Sequence, residues 1–122
     1  MVAAWMNKFR VAFAGLFWAF RDQNSFYVHF AVTLVVLAVA AWLRLEIWHW
    51  VALSFAIGGV LTAELLNTAM ELLVSVLHPQ HDPRIGRALD VAAAAVLMAS
   101  ITAIVVGVLV LGPPIYMHIW PV

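Results

Sequence analysis

Residues Val91–Leu111 read VAAAAVLMASITAIVVGVLVL, a run without a single charged side chain. A helix needs about 20 apolar residues to cross a hydrocarbon core of about 30 Å, and this run supplies them. Pro113-Pro114 follows one residue later, after Gly112. Proline lacks the backbone N–H and crowds the preceding turn, so the pair is expected to stop that helix. Upstream, no charge lies between Asp22 and Arg44, or between Glu46 and Glu64, and apolar character continues to Leu77. The reading is three spans, over about 26–43, 48–77 and 90–111, with short connections around Arg44–Glu46 and His78–Arg87. Composition agrees: of 122 residues, 66% are apolar and 10% charged. Soluble domains average about 45–50% and about 25%. Six basic and six acidic residues cannot cover a water-soluble surface. Net charge is zero and cysteine is absent, which argues against a nucleic-acid face and excludes disulfides and thiolate chemistry.

The first twenty residues differ. Phe9, Phe13, Leu16, Phe17 and Phe20 recur at helical spacing, with Asn7, Lys8, Arg10 and Arg21 on the polar side. Such a segment is expected as an amphipathic interfacial helix over about 5–22. Arg21-Asp22 offers no small-residue cleavage site, so a signal peptide is the poorer reading. The fold class is therefore an all-α membrane protein of one domain, 1–122, with an interfacial helix plus three transmembrane helices. Lys8, Arg10 and Arg21 precede the first span, Arg44 follows it, and Arg84 and Arg87 follow the second. That distribution predicts a cytoplasmic N-terminus and second connection. Trp48 and Trp50 are then expected at the outer interface, with His118 and the C-terminus outside. Ala95, Ala99, Ala103 and Gly107 form a small-residue ladder suited to close helix packing, with Gly58-Gly59 as its counterpart.

The chemistry is concentrated in Glu64-Leu-Leu-Asn67-Thr68-Ala-Met-Glu71-Leu-Leu-Val-Ser75. At about 100° per residue, Glu64, Asn67, Glu71 and Ser75 fall within about 80° of one helix face. A carboxylate at mid-bilayer costs about 2.5–3.5 kcal/mol, so two of them ask for a function. Counting about 20 residues inward from Trp48 puts the inner boundary near Thr68, between the two glutamates. Asp90 is expected at the same level. Paired carboxylates with an amide suit Mg²⁺ coordination and proton abstraction from an alcohol. The alternatives are interhelical hydrogen bonding and an ion relay. His78, His81 and Asp82 read as a solvated turn rather than a metal site, and His29 as a hydrogen-bonded interfacial residue.

This pattern resembles the prokaryotic diacylglycerol kinase and undecaprenol kinase family, whose signature is Glu-x-x-Asn-(Ser/Thr)-Ala-x-Glu-x-x-Val-Asp. Glu64, Asn67, Thr68, Ala69, Glu71 and Val74 match in register. Ala88–Val96 corresponds to a second block, Ala-Lys-Asp-x-Ala-Ala-Gly-Ala-Val. Phe9, Ala12, Phe13, Gly15, Phe20, Arg21, Phe26 and His29 carry a third. The resemblance implies a homotrimeric, multi-pass kinase of the bacterial inner (cytoplasmic) membrane. It implies Mg²⁺- and ATP-dependent phosphorylation of a lipid alcohol, undecaprenol first and diacylglycerol second. Glu64 then matches the catalytic base and Glu71 the metal ligand. Nucleotide-binding positions fall on Gln23, Asn67, Glu71, His81, Asp82 and Asp90. The chain also departs from the pattern. Gln23 replaces a metal-binding glutamate, Leu89 a phosphate-binding lysine, and Ser75 the last aspartate. Each lost contact of this kind costs about 10²–10³ in rate. Arg84 or Arg87 is the candidate to supply the missing cation, and Asp22 the missing carboxylate. A relative that binds lipid or nucleotide without turnover is the alternative reading.

Overall fold

The computed structural model describes residues 1–122. It consists of α1 (Val2–Asp22), α2 (Asn24–Trp42), α3 (Ile47–Leu77) and α4 (Pro83–Ile119), with no strand. The helices α2, α3 and α4 are long and apolar enough to cross a membrane. At 1.5 Å per residue, the 19 residues of α2 span about 28 Å, close to the hydrocarbon thickness. The 31 residues of α3 and 37 of α4 reach about 46 and 55 Å, so both extend beyond it.

A single extended residue, Gln23 (φ −109°, ψ 116°), separates α1 from α2. Aromatic packing holds this corner: the Phe20 ring lies 5.2 Å from Phe26 and 5.6 Å from Phe30. Tyr27 Oη donates to the Arg21 carbonyl at 2.8 Å, and Phe26 and Ala19 are fully covered. Most of the remaining surface of α1 is exposed, its aromatic residues included. At the opposite end the chain reverses through Arg44, whose φ of 52° lies in the left-handed region. There the Leu43 and Arg44 N–H groups close the end of α2 on the Val39 and Ala41 carbonyls.

The connection between α3 and α4 is only His78–Asp82, shorter than the expected His78–Arg87. The Pro83 ring fits the first helical position, where an N–H is not required. The Asp82 carboxylate caps α4 by accepting from the Arg84 N–H at 2.8 Å. Beyond that cap the helix has no reason to wait for Asp90.

Packing runs mainly along α3 and α4, with α2 touching α3 over a shorter length. Leu53, Val60, Glu64 and Thr68 are the buried residues of α3. The same stripe is thus apolar toward one end and polar toward the other. At the apolar end Ala40, Leu53 and Val110 form the core, flanked by Val36, Trp50 and Val106. The Trp42 and His118 rings meet edge-on at 4.4 Å, and Trp48 stacks on His49 at 3.7 Å. Only eight residues are buried in the single chain. Apolar side chains line its flanks, as lipid or neighbouring helices require.

One expectation needs correction. The proline pair does not stop α4, which continues to Ile119. Proline's fixed φ is itself helical, and only two backbone donors are lost. Gly112, lacking a Cβ, also relieves the clash that Pro113 makes with a preceding side chain. Within one chain the small-residue ladder is only partly covered. Ala99, Ala103 and Gly107 are half-buried, but Ala95 is exposed. A Cβ built on Gly58, Gly59 or Gly107 meets nothing within 4 Å. Larger side chains such as Leu53, Val60, Val106 and Val110 fill the space between the helices instead.

Candidate functional site

The polar half of the α3 stripe opens into a cavity of about 310 Å³. Its walls are Gln23 and Ser25 from the α1–α2 corner, Glu64, Asn67, Thr68 and Glu71 from α3, and Ala93 and Val96 from α4. Residues far apart in sequence therefore meet at one place, because the corner at Gln23 turns the chain back across α3. Glu64 is 7% exposed and Thr68 5%. A buried carboxylate requires partners, and Glu64 Oε1 has one in His29 Nε2 at 2.8 Å. One turn along the helix, Asn67 Nδ2 donates to Glu71 Oε1 at 3.1 Å. That bond fixes the Glu71 carboxylate while leaving Asn67 Oδ1 buried and without a partner.

A second, larger cleft of about 660 Å³ lies between α2, α3 and α4. It is lined largely by apolar residues, among them Val32, Val36, Val60, Ile104 and Val108, and by His29. His29 lines this cleft and Glu64 the polar cavity. The hydrogen bond between them marks where the two meet.

Of the residues singled out from the sequence, Gln23, Glu64, Asn67 and Glu71 share the cavity. Asp90 is exposed on α4, about one helical turn from the cavity-lining Ala93. His81 is exposed in the α3–α4 connection. Asp82 is engaged by Arg84, which donates to it through the backbone, Nε at 3.3 Å and Nη2 at 3.1 Å. These bonds hold the Asp82 carboxyl below its ordinary range, the side-chain bond contributing most. Ser75 points back to its own helix, donating to the Leu72 carbonyl at 2.7 Å.

The suggested replacements for the missing charges do not reach the cavity. Arg84 is taken by Asp82. Arg87 is exposed and lies about 200° around α4 from Leu89, on nearly the opposite face. Asp22 lies 3.9 Å from Arg21 and is not among the lining residues. No three His, Asp or Glu side chains converge anywhere in the chain. The cavity thus offers one oriented carboxylate, Glu71, to a metal. That suits Mg²⁺ delivered on phosphates, which commonly takes one or two protein carboxylates.

The pairing of His29 with Glu64 was not legible from the sequence. It joins residues 35 apart, and neither helical periodicity nor charge spacing reports a contact between two helices.

Comparison with known proteins supplies an independent line. A family model described as prokaryotic diacylglycerol kinase matches residues 10–111. A diacylglycerol kinase of Synechocystis sp. is 38% identical over 109 residues, covering 88% of this chain and 62% of its own length. An undecaprenol kinase of Bacillus subtilis is 31% identical over 112 residues, covering 88% and 91%. A diacylglycerol kinase of Escherichia coli is 30% identical over 103 residues, covering 84% and 72%. The chain therefore spans somewhat under two thirds of the cyanobacterial relative and most of the other two.

Proposed function

The chain belongs to the prokaryotic diacylglycerol kinase family, and from that premise we propose that it transfers the γ-phosphoryl group of ATP to a membrane lipid alcohol at the cytoplasmic surface. The observation that carries this reading is the junction of an apolar cleft with a polar cavity at Glu64. An aliphatic chain fits the first, and a nucleotide's phosphates fit beside the second.

In this reaction Glu64 is the general base. Its carboxylate takes the proton of the lipid hydroxyl, whose oxygen forms a bond to the γ-phosphorus as the bond to ADP breaks. Glu71 is the residue that would hold Mg²⁺, and Asn67 fixes its orientation. The ion supplies charge neutralisation on the phosphates, which is most of what loose phosphoryl transfer requires. Asp90, His81, Asp82 and Gln23 complete the nucleotide's surroundings at the same end of the bundle.

Undecaprenol is the proposed acceptor. The Bacillus subtilis protein named undecaprenol kinase is matched over nearly its whole length, and the cleft lining suits an isoprenoid chain as well as an acyl chain. The relatives named diacylglycerol kinase favour diacylglycerol as the second candidate. Assembly as a homotrimer in the inner membrane, with the N-terminus cytoplasmic, follows from the same family reading. The uncovered apolar flanks of α2, α3 and α4 support such assembly. The test is phosphate transfer from labelled ATP to undecaprenol, diacylglycerol and other lipid alcohols in mixed micelles. Undecaprenol should be the best acceptor, and Glu64→Gln should reduce transfer by about 10²–10⁴. Absence of transfer to every alcohol, in protein that is folded and supplied with Mg²⁺, would refute the kinase reading.

A further inference from the structure

We infer that His29 is a positioning residue for the reaction. It donates its Nε2–H to Glu64 Oε1 and thereby leaves Oε2 as the oxygen that takes the lipid proton. The inference rests on the reading of Glu64 as the base. Three observations carry it. The His29 Nε2 to Glu64 Oε1 separation is 2.8 Å, within the range of a charge-assisted hydrogen bond. Glu64 Oε2 makes no hydrogen bond to the protein and is not sealed from the cavity. His29 borders the apolar cleft while Glu64 borders the polar cavity, so the imidazole sits on the side from which a lipid chain must come.

The chemistry follows from the inventory of donors. An ionised carboxylate only accepts, and a neutral imidazole carries one N–H. With the N–H on Nε2, the bond fixes both the rotamer of Glu64 and the identity of its free oxygen. A base held in this way starts each turnover aligned, whereas a free carboxylate in the same cavity must find that orientation each time. His29 itself neither gains nor loses a proton. The lipid O–H proton goes to Oε2 of Glu64 and leaves from there after transfer.

The test compares His29→Leu, which removes the donor, with His29→Gln, whose side-chain Nε2–H lies the same number of bonds from the backbone. Steady-state kinetics are measured on the full chain in mixed micelles with Mg·ATP and undecaprenol. Loss of an orienting hydrogen bond behind a reactive group typically costs about 10–10²-fold, and that drop is expected in kcat for His29→Leu. KM for Mg·ATP should stay within about twofold, since the nucleotide is bound elsewhere, and His29→Gln should recover to within about fivefold of wild type. His29→Leu turning over at the wild-type rate would overturn the inference. So would His29→Gln being as slow as His29→Leu. A second measurement does not depend on activity or on the variants folding. ¹⁵N spectra of ring-labelled histidine in detergent should show His29 carrying a proton on Nε2, and a ring protonated on Nδ1 alone would refute the donor assignment. Unimpaired Glu64→Gln would instead remove the base on which the inference stands, and wild type inactive on every lipid would remove the kinase reading while the nitrogen spectrum still reported the bond.

Discussion

Replacing Gln23 by glutamate tests whether the cavity is a metal–phosphate site that has lost one ligand. Gln23 is the extended residue between α1 and α2 and lines the same cavity as Glu71. Its backbone conformation, φ −109° and ψ 116°, is equally open to glutamate. The substitution therefore changes charge with little change in shape. A cavity of 310 Å³ is about 8 Å across if round, and two carboxylates at that span repel by about 2 kcal/mol at an effective dielectric of about 20. Glutamate at the start of α2 regains about 0.3–1 kcal/mol from the helix dipole. The net expectation without metal is a loss of about 1 kcal/mol, read as a lowered melting temperature in detergent. A divalent ion between the two carboxylates reverses the sign, because each attraction involves twice the charge at about half the distance. With Mg²⁺ and a non-hydrolysable ATP analogue the variant should melt above wild type. The Mg²⁺ concentration for half-maximal transfer should fall about tenfold or more, equivalent to about 1.4 kcal/mol. Transfer itself should rise, by at most about 10²–10³, the usual worth of one such contact. If neither the melting shift nor the Mg²⁺ dependence changes sign or size, position 23 does not face a bound metal, and the reasoning is wrong.

Glu71→Gln should weaken Mg·ATP binding as well as turnover, with partial rescue by raised Mg²⁺. Glu64→Gln should leave binding of Mg·ATP intact, and equal loss of binding in both variants would refute the division of roles. Single cysteines introduced by Gln80→Cys and His118→Cys should react oppositely with an impermeant thiol reagent in intact cells, since the α3–α4 connection and the end of α4 lie at opposite ends of the bundle. Labelling of both from outside would refute the three-span arrangement. Arg44→Gly should raise the melting temperature, because relieving a left-handed non-glycine residue is worth about 1 kcal/mol; a lowered value would show that the arginine side chain matters more than its backbone. The cap on α4 should depend on pH in a defined direction. Since Arg84 holds the Asp82 carboxyl below its ordinary value near 3.8, the cap contributes stability above that value and loses it as pH falls through the lowered one. Amide exchange at Arg84–Arg87 should therefore show added protection down to about pH 4 that disappears at lower pH, and Asp82→Ala should lack that step.

Much of this architecture can be read from the placement of twelve charges, because lipid penalises every one of them in a span. Val91–Leu111 and the two upstream runs declare themselves in that way, and α2 differs from its expected bounds by only a residue or two. Where the expectations fail, the controlling quantity is absent from a charge count. The proline pair in α4 depends on the neighbouring Gly112 and on how well a helix tolerates two missing donors. The early start of α4 depends on a cap made by Asp82, a residue equally suited to a loop. The small-residue ladder has the spacing of a packing seam, but within one chain the core beside it is formed by larger side chains such as Leu53 and Val110, and spacing along α4 does not report which helix lies opposite.

The site divides along the same line. Glu64, Asn67 and Glu71 share a face because one helix repeats every 3.6 residues, and that face was visible in sequence. Periodicity within α3 cannot show what stands opposite. Three things come from other elements: the corner that delivers Gln23, the His29 ring against Glu64, and the apolar cleft behind it. Each carries a consequence for mechanism. With Gln23 neutral, Glu71 is the carboxylate of the polar cavity that Asn67 orients, and the one that would hold a metal. His29 makes the two oxygens of Glu64 inequivalent. The cleft reaches His29, whose partner Glu64 lines the polar cavity, so on the proposed reaction the lipid hydroxyl and the nucleotide would approach that carboxylate from different sides. A single buried stripe on α3 changes from Leu53 and Val60 to Glu64 and Thr68 within a few turns, which is how a chain of this size would bring a water-soluble phosphate donor to a membrane-bound acceptor on the proposed function. On the proposed function the first half of that stripe would hold the acceptor and the second would activate it, and Glu64 is the residue where the change occurs.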